Sequence, residues 1–414
     1  MQKPPSAART ALLAILLCAV GLLLPMAVAA QEDPLKWLPP GSRIETTLAE
    51  YPVRAIISEQ RGGTPGYLAR LGELVFRSPL TLGRDAARRG ISCEACHTNG
   101  AANTSFTLPG ASDQPGNVDL THLAFHFRED DGSFNPVNIP SLRGVRWTAP
   151  YGHDGRFPTL RAFSHNVITR EFGGPPLDDW LMDALVAWQM EFGFTDALPT
   201  DPTGAAYQRH CRSCHGDARQ LPPRRVHDIG TGQPVEAPVL RGLAETAPYL
   251  HDGSAATVAD AVSAHAGLDL TAAELSETVA DATRLGAMAR RHDPETLDGD
   301  VARLNGFIDL IHQQLLDEAG ARADQVGDMV AMEIGRIYRR FDPAAVTARD
   351  LIRNWARALA RATQVGLDGD HPAARDLLAD LKAAIATDLP RLRAQGARSL
   401  YAAAGPSSTG GDKQ

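Results

Sequence analysis

The sequence predicts a mainly α-helical protein, with two similar units in tandem and a C-terminal helical extension. Two Cys-x-x-Cys-His pentapeptides occur, at residues 93–97 and 211–215, and each precedes one copy of a 21-residue repeat. Apolar residues recur at helical spacing over much of the remaining chain. The pentapeptides and the repeat indicate a duplicated unit, and the apolar spacing indicates that helices build it.

The first 30 residues have the pattern of an export signal. Lys3 and Arg9 precede a long apolar run, and a polar stretch begins at Gln31. We therefore predict a signal peptide over residues 1–30, a periplasmic location and no membrane span after cleavage near Gln31. A membrane anchor is the alternative, because a run of this length nearly spans a bilayer, but Pro25 and the small exit residues favour cleavage.

Charge and cysteine usage narrow the class of protein further. Cleavage removes two positive charges and no negative ones, so the formal net charge changes from -8 to -10. With no evident basic patch, we expect no nucleic-acid partner. Of the five cysteines, Cys18 lies in the signal segment and the other four lie in the pentapeptides. Export usually favours disulfides, but here none is expected.

The two pentapeptides predict covalently attached haem. Two thiols three positions apart on one helical turn can bond the haem vinyl groups, and the next residue places its imidazole under the iron. The two predicted haem-binding sets are Cys93, Cys96 and His97, and Cys211, Cys214 and His215. Zinc and thiol redox chemistry are the alternatives. The two units are too distant for a zinc ribbon, and a thioredoxin-like site would need a strand before the motif.

The internal repeat defines the predicted domains. Residues 139–159 and 237–257 are identical at 12 of 21 positions, and each copy follows one pentapeptide. We predict two cytochrome c-like haem domains, residues 31–197 and 198–320, each with an attachment helix, a proline-rich loop and a closing helix. Two prolines mark residues 198–204 as the linker.

Apolar stripes locate the predicted closing helices and the extension. The first closing helix is expected over residues 177–192, and the second at the stripe between residues 304 and 315. Residues 321–404 are predicted to be a helical extension, and residues 405–414 a disordered tail. One apolar face of the extension is formed by Val326, Met329, Val330, Ile334 and Ile337.

With both haem motifs and the PxLRG…APYxHDG repeats, residues 65–318 resemble the bacterial dihaem cytochrome c peroxidases and their MauG-type relatives. Residues 71–76 match the first helix of that family, and residues 137–140 match its loop between the haems. The resemblance implies that the first haem cleaves peroxide and the second stores or delivers an electron. The extension lies outside the resemblance.

The resemblance also predicts the sixth ligand of the second haem. In the peroxidases a methionine lies fourteen residues after the histidine of the second APYxH unit, and in the maturation enzymes a tyrosine does. Here that position is His265, counted from His251. A haem ligated by two imidazoles would have a lower potential than one with His/Met ligation. A surface or capping role for His265 is the alternative.

On the first haem, the family carries a distal histidine before the inter-haem loop. His126 is the best match, as a catalytic residue and iron ligand, with His122 the second choice and His165 a further candidate. Alternatively, His122 and His126 are polar positions of a strand over residues 120–128. The family's distal glutamate, which moves a proton between the peroxide oxygens, maps approximately to Glu171.

One position departs from the family. Its bridging tryptophan is replaced by His153, so the usual aromatic relay between the haems is missing. Trp147 or Tyr151 are nearby substitutes.

Further residues match the cofactor contacts of the family. Asn138, Thr246 and Pro248 match its calcium site between the domains. Arg143 and Arg241, in the paired LRG units, are predicted partners of haem propionates, with a surface salt bridge as the alternative.

The leading hypothesis is a periplasmic peroxidase that reduces hydrogen peroxide with electrons from a small cytochrome c or cupredoxin. An electron carrier without enzymatic activity is the first alternative, and a MauG-like oxidase of a protein or organic substrate is the second. A homodimer is expected only by analogy with the family.

Overall fold

The computed structural model describes residues 52–125, 130–194, 204–217, 226–230, 232–286 and 295–401. Within these ranges helices dominate and strands are two or three residues long, so the predicted mainly α class is confirmed. None of the helices in the described ranges combines the length and the apolar character that a membrane span needs. The predicted signal peptide, the disordered tail, most of the linker and His126 lie outside the described residues.

The first unit surrounds the first pentapeptide. Its helices are α1 (Ile57–Gln60), α2 (Tyr67–Arg77), α3 (Arg84–Arg89), α4 (Cys93–Cys96), α5 (Leu160–Asn166) and α6 (Asp179–Gln189). Strands β1 (Asn117–Val118) and β2 (Val137–Asn138) pair antiparallel. A π-helical turn, Val167–Glu171, continues α5, and short 3₁₀ turns occupy Pro79–Leu82, Thr98–Gly100 and Val145–Trp147.

Helices α2 and α6 form the centre of this unit. Gly72 makes their close approach possible, because a Cβ atom there would overlap the carbonyl oxygen of Ala184. The predicted stripe of the first closing helix is confirmed, with Leu181, Ala184, Leu185 and Trp188 all buried in α6. The core of the first unit thus lies directly behind α4, which carries the first pentapeptide.

The second unit surrounds the second pentapeptide. Its elements are α7 (Ala205–His210), α8 (Arg212–His215), the antiparallel pair β3 (Val226–Asp228) and β4 (Pro234–Glu236), α9 (Val258–Ser263) and α10 (Ala272–Gly286). A 3₁₀ turn occupies Leu243–Glu245. Helix α10 packs against α7, and the small core contains Tyr207, Leu240 and Ala282.

Four long helices follow: α11 (Leu297–Leu316), α12 (Gly320–Arg339), α13 (Val346–Leu367) and α14 (His371–Arg393). A 3₁₀ turn, Gly396–Arg398, ends this region. Each helix packs against the next, and α14 also packs against α11. The predicted stripe from Val326 to Ile337 is buried on one face of helix α12.

The structure differs from the prediction in the role of α11. We expected its stripe, which includes Leu304 and Phe307, to close the second haem unit. Instead α11 and α12 pack against α2, and their apolar faces join the core of the first unit. The helix that packs on α7 is α10. By its packing, α11 therefore belongs with the C-terminal helices.

Candidate functional site

The first pentapeptide forms one helical turn, α4, as the haem prediction requires. The Nδ1 atom of His97 lies 2.9 Å from the carbonyl oxygen of Pro140. A carbonyl can only accept, so Nδ1 carries the proton and the lone pair is on Nε2. Burial lowers the pKa of His97 to about 4, which keeps the ring neutral. A neutral imidazole fixed by a carbonyl is the form that binds a metal.

The second pentapeptide repeats this arrangement. The Nδ1 atom of His215 lies 3.1 Å from the carbonyl oxygen of Pro238, and burial lowers the pKa of the ring. Pro140 and Pro238 occupy the same position of the internal repeat. The repeat therefore supplies the same contact to both histidines, and it leaves the lone pair of each Nε2 atom available to a metal.

The pKa values of the pentapeptide cysteines bear on the thiol redox alternative. All four are free, and burial raises the pKa of the Cys93 thiol to about 12 and that of Cys211 to about 11. Reactive or metal-binding cysteines have lowered pKa values. Across the described ranges, no group of three His, Cys, Asp or Glu side chains has the arrangement of a metal site. The raised pKa values of these thiols disfavour a reactive thiolate and hence a thiol redox role.

His265 faces His215 in the second unit. The centroids of the two rings are 6.2 Å apart. Metal–imidazole bonds are about 2 Å long, so two rings that held one metal ion between them would have centroids about 6 Å apart. The Nδ1 atom of His265 donates to the carbonyl oxygen of Ala261 at 2.8 Å, which leaves Nε2 as its acceptor. Capping α9 and binding a metal are thus compatible roles for this ring.

A third imidazole lies close to the second pentapeptide. The Nε2 atom of His227, in β3, is 3.6 Å from the sulfur of Cys214. Sequence reasoning missed this residue because it falls in neither the pentapeptide nor the repeat. The strand that carries it is linked to the loop after α9, where the Ala266 amide donates to the carbonyl oxygen of Ile229 at 2.8 Å.

Of the three histidines predicted as candidates for the distal side of the first haem, His122 and His165 lie within the described residues. His126 lies outside the described residues, and residues 121–125 form turns rather than the alternative strand. Nδ1 of His122 accepts the Ala124 amide proton at 3.1 Å, so its Nε2 carries a hydrogen and is not available as a ligand. His165 is exposed. The prediction for His126 stays a prediction.

Glu171 ends the π-helical turn that follows α5. Such turns are frequent at functional sites. Its carboxylate accepts a hydrogen bond from the Asn166 side chain at 3.1 Å and lies 3.9 Å from the Arg156 guanidinium. Burial raises the pKa of Glu171, although Arg156 and Asn166 oppose the shift. A raised pKa suits a group that takes up and releases protons near neutral pH.

Amide–carbonyl hydrogen bonds join the β1–β2 pair, which precedes the first repeat, to the second repeat. The Asn138 side-chain amide donates to the carbonyl oxygen of Pro248 at 2.9 Å, and its backbone amide donates to His251 at the same distance. Asn117 donates to the carbonyl oxygen of Asp252. The Oδ1 atom of Asn138 is buried and accepts no hydrogen bond from any part of the chain that is described. Two of the predicted calcium residues are thus in contact.

Thr246, the third predicted calcium residue, lies in the same segment as Pro248. Its hydroxyl donates to the carbonyl oxygen of Leu243 at 3.1 Å. Carbonyl, amide and hydroxyl oxygen atoms lie at this junction, and calcium takes ligands of these types.

The two predicted propionate partners lie at the same junction. Arg143 is buried, donates to the carbonyl oxygen of Val53 at 2.9 Å and lies 3.8 Å from Glu245. The guanidinium of Arg241 lies 4.3 Å from the ring centroid of Phe194. No haem propionate contact follows from these distances, so this role stays a prediction.

The proposed aromatic substitutes lie near the same junction. Trp147 stacks on Phe194 with centroids 6.3 Å apart, and Tyr151 stacks on Phe163. His153, which replaces the family's tryptophan, has its carbonyl oxygen bound by the Glu236 amide at 2.7 Å. Burial, followed by the nearby His251, lowers the pKa of His153. Its ring is therefore neutral.

Comparison with known proteins yields only distant structural similarities. No family model and no curated protein matches this chain. The similar solved structures include hydrazine synthase of Kuenenia stuttgartiensis, with 16% identity, a TM-score of 0.40, and coverage of 62% of this chain and 96% of that one. They also include a MauG-like protein associated with microbial copper homeostasis, with 19% identity, a TM-score of 0.36, and coverage of 60% and 98%. At these TM-scores neither similarity establishes a family or a function.

Proposed function

We propose that the chain holds two covalently attached c-type haems, one at each pentapeptide. The observation that carries this proposal is the repeated contact between the pentapeptide histidine and a proline of the matching repeat. His97 pairs with Pro140 and His215 with Pro238, each through Nδ1. Metal-binding histidines characteristically donate their second nitrogen to a carbonyl in this way. A thiol redox site would require neither contact, and the separation of the two pentapeptides disfavours a zinc ribbon.

We further propose that the protein is an exported peroxidase, which converts hydrogen peroxide, two electrons and two protons to two molecules of water. When bound, the haems supply the iron that binds peroxide and the storage for electrons that a small redox protein delivers singly. Glu171 is the proposed proton carrier between the two peroxide oxygens. Burial supports this role by raising its pKa, and Asn166 fixes the carboxylate.

The second unit is the proposed electron store. His215 and His265 face each other across 6.2 Å and both present Nε2, which supports six-coordinate ligation with no open position for peroxide. Two imidazoles favour a lower potential than a thioether ligand would give. Division of labour follows, because only the first unit would then have a position where peroxide can bind.

We also propose a calcium ion at the junction of the repeats. The buried Oδ1 atom of Asn138 and the neighbouring carbonyl oxygen of Pro248 support it, because oxygen atoms are the ligands that calcium prefers. Such an ion would hold the two repeats at a fixed separation.

A dihaem electron carrier is the second candidate function. It is favoured by His153, a half-buried imidazole at the place where the resembling peroxidases carry a bridging tryptophan. Without that aromatic group, the route from the second unit to the first lacks its usual redox-active side chain.

Optical spectra and a turnover assay distinguish these functions. The oxidised and half-reduced protein should show one high-spin and one low-spin haem, and reduced cytochrome c should be oxidised only when peroxide is added. Two permanently low-spin haems would leave peroxide no place to bind and would favour the carrier. Oxidation of an added protein or organic substrate, without consumption of reduced cytochrome c, would favour a MauG-like oxidase.

A further inference from the structure

A buried carboxylate lies inside the first haem-attachment turn. Glu94 stands between Cys93 and Cys96 in α4, and its side chain is only 6% exposed. It accepts the backbone amide of Asn99 at 3.1 Å, in the turn that follows His97. The carboxylate therefore ties together the two ends of the segment that holds the thiols and the imidazole.

The positive partner of this carboxylate comes from α2. The guanidinium of Arg77 lies 3.7 Å from Glu94, and its side chain is 2% exposed. At 3.7 Å this is an ion pair without a close hydrogen bond. Arg77 alone would therefore be poorly compensated, because a guanidinium removed from water needs direct acceptors for its donor groups.

The C-terminal helices supply that direct acceptor. Glu333 of α12 accepts from Arg77 Nη2 at 2.9 Å and from Nε at 3.2 Å, and its side chain is 7% exposed. Arg336, one turn further along α12, lies 3.8 Å from Glu333 and balances it. Burial alone would raise the pKa of Glu333, but Arg77 and Arg336 outweigh it and hold the pKa at about 2, so the group is ionised.

Acidic and basic side chains thus alternate from the haem-attachment turn into α12, in the order Glu94, Arg77, Glu333 and Arg336. Burial raises the pKa of Glu94, and Arg77 and Arg336 oppose that shift. Removing one member of a buried ion pair leaves its partner uncompensated, and this is costly in a low-dielectric interior. A change at either end is therefore transmitted to the other by charge as well as by packing.

We propose that Glu333 is a positioning residue of the first haem site, which holds Arg77 against Glu94 and thereby sets the charge and orientation of the attachment turn. The C-terminal helices are then part of the first haem site rather than an appended module. This inference rests on the proposed haem at Cys93, Cys96 and His97.

The sign of the effect on the first haem follows from electrostatics. Reduction lowers the charge of the iron by one, so extra positive charge nearby favours the reduced state. Glu333→Gln removes a negative charge and leaves Arg77 in excess, so it should raise the potential of the first haem. Arg336→Gln removes a positive charge and should lower it. We expect about a tenfold change in the reduced-to-oxidised ratio in each direction, which is about 59 mV for a one-electron couple.

The experiment is a spectroelectrochemical titration of the full-length holoprotein and its variants. Asp328→Asn is the matched control, because Asp328 is exposed on the same helix and loses the same carboxylate charge. The potential of the second haem is identified as the one that moves in His265→Met. Thermal unfolding of each variant, followed by circular dichroism, reports whether it is folded.

Opposite shifts of the first-haem potential in Glu333→Gln and Arg336→Gln, with none in Asp328→Asn, would support the proposal. A folded Glu333→Gln variant with the wild-type potential would overturn it, even if its melting temperature falls, because packing alone would explain that loss. If Glu333→Gln does not fold, Arg336→Gln decides: a lowered potential supports the proposal and an unchanged one overturns it. A protein that carries no haem would instead refute the proposed function.

Discussion

The closeness of the His215 and His265 rings leads to a prediction about the proposed second haem. His265→Met should raise its potential, because a thioether favours ferrous iron more than an imidazole does. The ring centroids of His215 and His265 are 6.2 Å apart, a separation that would allow one metal ion between the two rings. Methionine is unbranched and flexible, so its sulfur can reach the place of that nitrogen.

The size of this shift is set by the exchange of one ligand out of two. Axial ligand identity spans about 0.8 V across haem proteins, and we expect a shift on the order of 100 mV. That is roughly a fiftyfold change in the reduced-to-oxidised ratio, at about 59 mV per tenfold. The first-haem potential should stay unchanged, because His97 and Pro140 are not altered by the substitution.

The assay is a spectroelectrochemical titration with a matched imidazole control. His227→Gln is the control, since His227 lies near the second pentapeptide but contacts the sulfur of Cys214. Its effect on the potential should be much smaller, and the low-spin spectrum should persist. If His265→Met leaves the potential unchanged while His227→Gln converts the second haem to high spin, His227 is the ligand and the reasoning from ring geometry is refuted.

Three further predictions concern packing, proton transfer and calcium. Gly72→Ala should destabilise the fold by about 1–3 kcal/mol in denaturant titration, because the new methyl group would overlap the α6 backbone. The control Gly66→Ala meets open space and should cost under about 1 kcal/mol. Equal losses of stability in the two variants would contradict this packing. Peroxide turnover should fall as pH drops through the raised pKa of Glu171, because the carboxylate form accepts the proton. Glu171→Gln should slow turnover about 100-fold and remove this fall at acid pH. A pH profile that the substitution leaves unaltered would exclude Glu171 as the proton carrier. Chelation of calcium should lower the melting temperature of the wild-type protein by a few degrees but leave that of Asn138→Leu unchanged. Identical melting curves of the wild-type protein with and without chelator would argue against a bound calcium ion.

The sequence predicted those parts of the fold whose signals are local. Pentapeptide spacing located the attachment turns, and the apolar stripes located α6 and α12. Helix α10 escaped this reasoning because its buried residues include Thr278 and Asp281 rather than a stripe of large apolar side chains. Asp281 is buried because it accepts the Gly204 amide at 2.6 Å, a contact between positions 77 residues apart. The spacing of apolar residues along the sequence cannot predict such a contact.

The sequence likewise predicted the residues of the candidate site but not their long-range contacts. Counting from the repeat identified His265, but the contacts of His97 and His215 with prolines of the repeats depend on how distant segments meet. The ion pairs that join Arg77 to Glu94 and Glu333 were also invisible, because the last two positions are 239 residues apart along the chain. A single sequence does not show which charged residues pair at such separations. Once the pairs are buried, however, the loss of either partner is costly to stability.

Intact-mass spectrometry of denatured protein, produced in cells that attach haem to exported cytochromes, tests the central claim most directly. We expect the mass of the cleaved chain plus two haem groups, with one haem on the peptide that contains residues 93–97 and one on the peptide that contains residues 211–215. A mass equal to that of the unmodified polypeptide, with all four thiols open to alkylation, would contradict both haem sites and everything inferred from them.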